Sequence, residues 1–329
     1  MRALQIEELG GPDAVKVVDA PEPGPSHFSS PGQGVVIDVR AAAVSFPDVL
    51  QSRGLYQFKP DLPFVPGAEV SGVVVESSDP SFAAGQRVAA MTLLGAMAER
   101  TVAPPAMTFA LPDELDFAEG AALVLNYHTS LFALKYRGRL AEGEWVLVHG
   151  AAGGVGTASL QVAKALGAKT IGVVSSDEKE RVARDAGADH VVRADAEWKD
   201  QAKEISGGGV DVVLDPVGGD RFTDSLRSLR EGGRAVVVGF TGGSIPEVKV
   251  NRLLLNNIDV VGAGWGAYVL SKPDFTRKLA DELDGMIRSG HVRPIVGNRF
   301  PLEQAGEAMR LIEERGALGK VVLDVAPAA

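Results

Sequence analysis

The chain has 329 residues, 45% hydrophobic and 23% charged, a composition typical of a globular protein of about two domains. Its formal net charge of −10 disfavours nucleic acid and anionic membranes as partners, and no apolar run reaches the ~18 residues of a membrane span. Cysteine is absent, which excludes disulfides and thiolate chemistry. The first residues do not have the pattern of a signal peptide, so we expect a cytoplasmic protein.

The first ~120 residues predict a β-rich domain. Thirteen of the nineteen prolines lie before Asp113, and turn residues recur about every ten positions. Short β-type runs lie between the turns, at residues 3–6, 15–18, 35–39, 70–75 and 87–90. Helices are expected at residues 46–53 and 114–134. This spacing favours a compact β domain over βα repeats.

From Trp145 onward, strand-like and helical patterns alternate. Apolar runs predict buried parallel strands at residues 145–148, 170–174, 191–192, 210–214, 235–238 and 258–261. Helices fit between them at residues 157–166, 179–186, 197–205 and 221–229. A doubly wound sheet of six strands is the simplest assembly. Amphipathic helices at 274–289 and 302–314 follow, and a final strand at 320–325 is expected to return to the first domain.

A glycine-rich turn joins the first of these strands to its helix. Ala151, Gly153 and Gly156 occupy the G-x-G-x-x-G register of a dinucleotide-binding βαβ unit, with alanine in the first place. A helix N-terminus presents unpaired N–H groups and a positive dipole end, so a pyrophosphate fits there. We expect residues 152–156 (Ala152, Gly153, Gly154, Val155 and Gly156) to bind the cofactor. The alternative is a glycine-rich turn without a ligand.

The residues after the second strand favour NADPH over NADH. An NAD site places a carboxylate about 20 residues past the glycines, where it binds the ribose hydroxyls. Here Ser175 occupies that place and Lys179 follows, and hydroxyls with a cation attract a 2′-phosphate. Two alternatives remain open: this segment only caps the next helix, or Asp177 serves an NAD ribose.

The motifs resemble those of a known family. Residues 150–156 and 163–168, with residues 66–72, 215–219 and 319–322, closely resemble the zinc-free quinone oxidoreductases of the medium-chain dehydrogenase/reductase superfamily. The resemblance implies an α/β protein with a GroES-like β-rich catalytic domain and an inserted Rossmann domain, a doubly wound parallel sheet. It places the catalytic domain at residues 1–123 and 267–329, and the NADP-binding domain at 124–266.

The zinc ligands of related alcohol dehydrogenases are missing. Their Gly-His-Glu reads Gly67-Ala68-Glu69 here, and the chain has no cysteine to act as a ligand. We therefore expect no metal site, Glu69 as a structural carboxylate, and no simple alcohol oxidation.

The resemblance also indicates residues on the substrate side. The family's Asn-x-x-Asp and Gly-x-Tyr align with Ser45-Phe46-Pro47-Asp48 and Gly54-Leu55-Tyr56. Ser45 replaces the asparagine near the nicotinamide. Tyr56 aligns with a proton donor of enoyl-thioester reductases, and a phenol can protonate an enolate. An aromatic loop residue without chemical function is the alternative for Tyr56.

Further cofactor-contacting positions follow from the same resemblance. They are Asn126 and Thr129 at the start of the domain-linking helix, Gly239 and Phe240 after the fifth strand, and Trp265 after the sixth. The family often has a phosphate-contacting tyrosine where this chain has Ala194, and we expect Arg193 with Lys179 to replace it. His149, at the end of a buried strand, is expected to satisfy backbone groups.

Three functions follow as hypotheses. The first is an NADPH-dependent reductase that passes hydride to a quinone without a metal. The second is an enone or enoyl reductase with Tyr56 as proton donor, because a carbanionic product benefits from a placed acid. The third is a non-enzymatic NADPH-binding structural or regulatory protein. Family resemblance further implies a homodimer that extends the sheet through residues 257–264.

Overall fold

The computed structural model describes residues 1–23, 34–195, 197–269 and 271–325. Contacts divide the chain into two compact units, residues 1–125 with 294–329 and residues 126–293. The second boundary therefore differs from the expected 266/267. Residues 267–293 belong to the second unit because Phe275 packs on Phe132 and Tyr136, and Glu282 accepts a hydrogen bond from Lys135 Nζ at 2.8 Å.

The strands and helices have the following bounds. The strands are β1 (Arg2–Ile6), β2 (Val15–Asp19), β3 (Val35–Val44), β4 (Glu69–Ser77), β5 (Arg87–Met91), β6 (Arg100–Ala103), β7 (Thr108–Ala110), β8 (Trp145–His149), β9 (Lys169–Val174), β10 (His190–Arg193), β11 (Val210–Asp215), β12 (Leu229–Val237), β13 (Asp259–Gly262), β14 (Val296–Pro301) and β15 (Lys320–Asp324). The α-helices are α1 (Phe46–Ser52), α2 (Phe117–Ala121), α3 (Val124–Leu131), α4 (Gly154–Ala165), α5 (Asp177–Asp185), α6 (Trp198–Ile205), α7 (Phe222–Ser228), α8 (Asn251–Asn256), α9 (Trp265–Val269), α10 (Pro273–Arg288) and α11 (Ala305–Glu313). None of these helices combines the length and the apolar character that a bilayer crossing requires.

The first unit is built on a seven-stranded sheet in the order β14-β15-β3-β4-β5-β7, with β6 also paired to β3. β3 is its long central strand, and most of its residues are buried among aliphatic side chains of β4, β5 and α11. β15 pairs antiparallel with one edge of β3 (Val322 with Ala43), while β4 pairs antiparallel with the other (Glu69 with Ala43). The expected return of the last strand to the first unit is confirmed.

The second unit is a doubly wound sheet of six parallel strands in the order β10-β9-β8-β11-β12-β13. Its central strands are buried along almost their whole length, as their largely apolar runs predict. The strand order reverses between β8 and β11, and the carboxyl ends of all six strands lie along one edge. In open α/β sheets that edge holds the ligand.

The single helix expected over residues 114–134 is wrong. The structure has α2, α3 and a π-helical segment, Phe132–Arg137, in its place. Asp116 caps α2 by accepting the Glu119 N–H at 2.7 Å, and α2 ends after five residues. The N–H of Leu125, at the start of α3, donates to the Glu69 carboxylate at 2.6 Å. A buried carboxylate thus fixes a separate helix start that sequence periodicity does not reveal.

Candidate active site

The first candidate site is the N-terminus of α4, which follows β8 through a four-residue turn. Gly153 is the N-cap residue and has no side chain with which to cap the helix. The first main-chain bond of the helix runs from the Thr157 N–H to the Gly153 carbonyl at 2.9 Å. The N–H groups just before Thr157 are therefore in the position where an α-helix leaves donors unpaired. Twelve residues of helix add a positive dipole end, so the site fits an anion.

The glycines of this turn have different functions. A Cβ on Gly156 would lie 2.1 Å from the Gly150 carbonyl oxygen and 2.7 Å from Ala151 Cα, so Gly156 permits close contact between α4 and the turn. A Cβ on Gly153 would meet nothing nearer than the Gly150 oxygen, at an ordinary 3.5 Å. Gly153, Gly154 and Val155 are partly exposed, whereas Ala152 is buried. Gly156 therefore serves packing, and the accessible surface of this turn belongs to residues 153–155.

The other predicted cofactor residues of the second unit lie at or near the same sheet edge. Ser175 and Lys179 follow β9, Arg193 ends β10, Gly239 and Phe240 come after β12, and Trp265 comes after β13. Because parallel strands end on one side, the topology gathers positions that are far apart in sequence.

The region after β9 and β10 contains the expected cations, but it also contains carboxylates. Arg193 pairs in register with Val174, which places it beside Ser175. Lys179 Nζ donates to Ser175 Oγ at 3.3 Å. The Arg193 guanidinium forms ion pairs with Asp177 and with Glu180, the latter at 3.2 Å. Arg193 thus lies beside Ser175 with its guanidinium already paired with carboxylates, an arrangement that sequence spacing did not predict.

Asn126 and Thr129 lie three residues apart, so they share one side of α3. Thr129 is partly exposed, and Asn126 is buried. The next residue, Ser130, shares a hydrogen bond of 2.9 Å with Ser159 of α4, which holds α3 against the glycine-turn helix. Of the two predicted residues, only Thr129 is therefore accessible in this conformation.

Trp265 differs most from its expected role. Its side chain is only 2% exposed, packs with its ring 5.2 Å from His128, and has no hydrogen-bond partner for Nε1 within the described residues. The Trp265 side chain is therefore enclosed by protein in this structure. Phe240 is 36% exposed, and its ring lies against Gly218, where an added Cβ would approach to 2.9 Å.

His149 is a structural residue. It is buried, and Nε2 lies 2.8 Å from Ser225 Oγ, so its partner is a side chain and not the expected backbone group. Burial lowers the pKa of His149, against an opposing effect of the Asp215 charge. The Asp215 carboxylate accepts the N–H groups of Val217 and Gly218 at 2.8 and 2.9 Å. Ser225, His149 and Asp215 therefore stabilise the core beneath the sheet edge.

The second candidate site is a cluster of charged groups in the first unit. Lys320 Nζ lies 2.8 Å from Glu69 Oε2 and donates to Ser45 Oγ at 2.7 Å. The Lys320 and Glu69 side chains are only 5% and 1% exposed. They meet because β15 and β4 flank β3, and Ser45 follows the last residue of β3. Glu69 is thus a structural carboxylate with a lysine partner.

Asp48 and Tyr56 lie beside this cluster. Asp48 accepts the Ser45 N–H at 2.7 Å, and burial raises the pKa of its carboxyl to about 6, against the effects of that hydrogen bond and of Lys320. Tyr56 is half-buried on the chain after α1. Burial, and then the Asp48 charge, raise the pKa of its phenol, so Tyr56 is protonated at neutral pH.

The Lys320 ion pair is not predictable from the sequence pattern. Residues 319–322 are recognisable only as a family motif, and the sole local signal is a lysine at the start of an apolar strand. In the described part of the chain, no three His, Asp or Glu side chains are grouped closely enough to hold a metal ion.

Comparison with known proteins identifies the family. The alcohol dehydrogenase GroES-like domain model matches residues 31–113, and the zinc-binding dehydrogenase model matches residues 154–284. Quinone oxidoreductase-like protein 2 of Bos taurus is 37% identical over 98% of this chain and 92% of its own length. The chain belongs to the quinone oxidoreductase family of the medium-chain dehydrogenase/reductase superfamily.

Two further members of the family cover the chain almost completely. Quinone oxidoreductase of Rattus norvegicus is 34% identical over 98% of this chain and 97% of its own. The Thermus thermophilus quinone oxidoreductase, whose structure was also solved with NADPH, is 35% identical. It covers 99% of this chain and 100% of its own, with a TM-score of 0.82. The expected family and fold class are confirmed.

Proposed function

We propose that this protein is an NADPH-dependent reductase that transfers hydride to a quinone or a related electrophilic acceptor without a metal ion. The observation that carries the proposal is the α4 N-terminus, with donors at the end of a twelve-residue helix and an open approach at Gly153. Family membership and the NADPH complex of the Thermus thermophilus relative support the choice of cofactor.

Residues of the second unit would hold NADPH. The main chain of residues 153–155 would bind the pyrophosphate, because its N–H donors lie at the positive end of α4. Ser175, Lys179 and Arg193 would bind the 2′-phosphate, and Thr129, Gly239 and Phe240 would border the nicotinamide half. Bound NADPH would supply the hydride.

Tyr56 and Ser45 would act on the acceptor side. Because a lysine ammonium can only donate, Ser45 Oγ accepts from Lys320, and its own O–H would be able to donate to the acceptor molecule. Tyr56 would donate a proton to the reduced acceptor, as its raised pKa keeps the phenol protonated.

A panel of acceptors tests the reaction class. Purified protein would be supplied with NADPH or NADH and with benzoquinone, phenanthrenequinone, an enone and crotonyl-CoA, while cofactor oxidation is followed by absorbance. We expect NADPH oxidation with the quinones. Stoichiometric NADPH binding without oxidation of any acceptor would contradict the proposal and favour the non-enzymatic hypothesis.

The half-buried Tyr56 beside Asp48 favours an enone or enoyl substrate as the second candidate. Tyr56→Phe separates the two, because a quinone is reduced to an oxyanion that water can protonate, whereas an enolate carbon needs a placed acid. Loss of kcat by roughly 10²-fold or more would indicate an enoyl reductase. Tyr136→Phe is a matched control, since the Tyr136 hydroxyl binds Glu282 within the second unit.

We also propose that the protein is a cytoplasmic homodimer. β13 ends the six-stranded sheet, and the adjacent α8 exposes Leu254 (77%), Leu255 (74%) and the preceding Val250 (73%). An apolar patch beside a free sheet edge suits pairing with a second copy. Light scattering should give a dimer that Leu254→Glu with Leu255→Glu converts to a monomer. A monomeric parent protein would contradict the proposed dimer. Fractionation of cells that contain the protein would test the proposed cytoplasmic location.

A further inference from the structure

The contacts of Arg193 affect how the protein distinguishes NADPH from NADH. This inference rests on the proposed function. Arg193 ends β10 directly beside the end of β9, where the adenosine ribose of a dinucleotide lies in this fold. Two carboxylates from the first turn of α5 already bind its guanidinium. Both carboxylates contact the same atom, Arg193 Nη2. A phosphate bound in the bidentate manner would also use Nη2, together with Nε or Nη1, and such charge-assisted pairs are the strong contacts of a phosphate.

The two carboxylates are not equivalent. Glu180 is 29% exposed, and its two oxygens serve different partners: Oε1 accepts from Arg184 Nε and Nη2, while Oε2 lies 3.2 Å from Arg193. Asp177 is 90% exposed, and the described contacts give its carboxylate Arg193 as partner. Glu180 is therefore the less exposed of the two partners and is itself held by Arg184, whereas Asp177 is the exposed partner on the same nitrogen.

We propose that Asp177 determines cofactor specificity by competing with the 2′-phosphate for Arg193. When NADPH binds, the phosphate replaces the Asp177 carboxylate on the guanidinium, while Glu180 keeps Arg193 in place. NADH has a 2′-hydroxyl there and leaves the Arg193–Asp177 pair intact. Asp177 thus lowers the affinity for NADPH and leaves the affinity for NADH unchanged. The ratio of the two affinities is therefore smaller than it would be without Asp177.

Replacement of Asp177 gives the direct test. Dissociation constants for NADPH and NADH would be measured by calorimetry on the parent protein and on Asp177→Asn. We expect NADPH to bind roughly three- to tenfold more tightly to the variant, with less than about a twofold change for NADH. Glu178→Gln is the matched control, because it removes the same charge from the same turn of α5 and should change NADPH affinity by less than about twofold.

The Arg193→Ala background tests whether Asp177 acts through Arg193. Arg193→Ala alone should weaken NADPH roughly tenfold or more, and Asp177→Asn should bring little gain in that background. An equal gain with and without Arg193, or an equal gain from Glu178→Gln, would overturn the inference. Unchanged NADPH affinity in Asp177→Asn would also overturn the inference, provided that the parent protein binds NADPH. A parent protein that binds no NADPH would overturn the proposed function as well.

Discussion

The two units carry their candidate functional groups in different ways. In the second unit they are main-chain donors and side chains at strand ends, and the turn at residues 151–156 supplies the principal donors. In the first unit they are polar and ionisable side chains from three distant segments, the hydroxyl of Ser45 and the charged groups of Glu69 and Lys320, and they meet at the sheet. A binding site made of main-chain N–H donors needs small residues at the right spacing in the sequence. A buried charge cluster needs every partner present, because an unpaired buried charge is strongly destabilising.

The largest expected effect comes from breaking the cluster. Lys320→Met leaves Glu69 buried without its cation, so we expect the first unit to lose about 3–5 kcal/mol of stability. Hydrogen exchange at β3 and β15 measures that unit, since the three tryptophans, Trp145, Trp198 and Trp265, all lie in the other. The double variant with Glu69→Gln should recover part of the loss.

An exposed ion pair in the same unit provides the control for that experiment. Lys16→Met removes the partner of Glu7, and both side chains are largely exposed. We expect it to leave exchange at β3 and β15 unchanged. If Lys320→Met also left hydrogen exchange at β3 and β15 unchanged, the Lys320–Glu69 ion pair would not stabilise the first unit.

The next largest effects separate the packing function of Gly156 from the binding function of Gly153 in the glycine turn. Gly156→Ala forces a Cβ against the Gly150 carbonyl, and we expect it to destabilise the second unit by roughly 1–3 kcal/mol, measured by tryptophan fluorescence in denaturant. Gly153→Ala should fold normally but bind NADPH roughly tenfold more weakly, because its Cβ occupies the phosphate approach. Unchanged NADPH affinity in Gly153→Ala would place the phosphate elsewhere.

These contrasts explain which features the sequence could predict. Gly153 and Gly156 are recognisable because strand, turn and helix are contiguous, and the same periodicity predicts the six parallel strands. Lys320 and Glu69 become neighbours only through the strand order β15-β3-β4, which sequence periodicity does not specify. The Arg193–Asp177 pair likewise depends on a register between β9 and β10. Trp265 was expected at the cofactor, and its buried position depends on packing against His128.

A further expected effect is a pH dependence in the first unit. The folded state raises the pKa of Asp48 from 3.8 to about 6, so it binds that proton more tightly than the unfolded chain does. This contribution is fully present below about pH 4 and is lost as the pH rises through 6, and each tenfold difference in proton affinity is worth about 1.4 kcal/mol. Relative to Asp48→Asn, the parent protein should lose stability over that range. A carboxyl titration midpoint near 4 by NMR would contradict the assignment.

The proposed chemistry is that NADPH held at the α4 N-terminus reduces a quinone without a metal ion. Its most direct test follows NADPH consumption and hydroquinone formation by EDTA-treated protein supplied with benzoquinone, with Gly153→Ala in parallel. We predict one hydroquinone for each NADPH consumed, no effect of EDTA, and a raised KM for NADPH in the variant. NADPH binding without consumption, or a reaction that EDTA abolishes and added zinc restores, would contradict it.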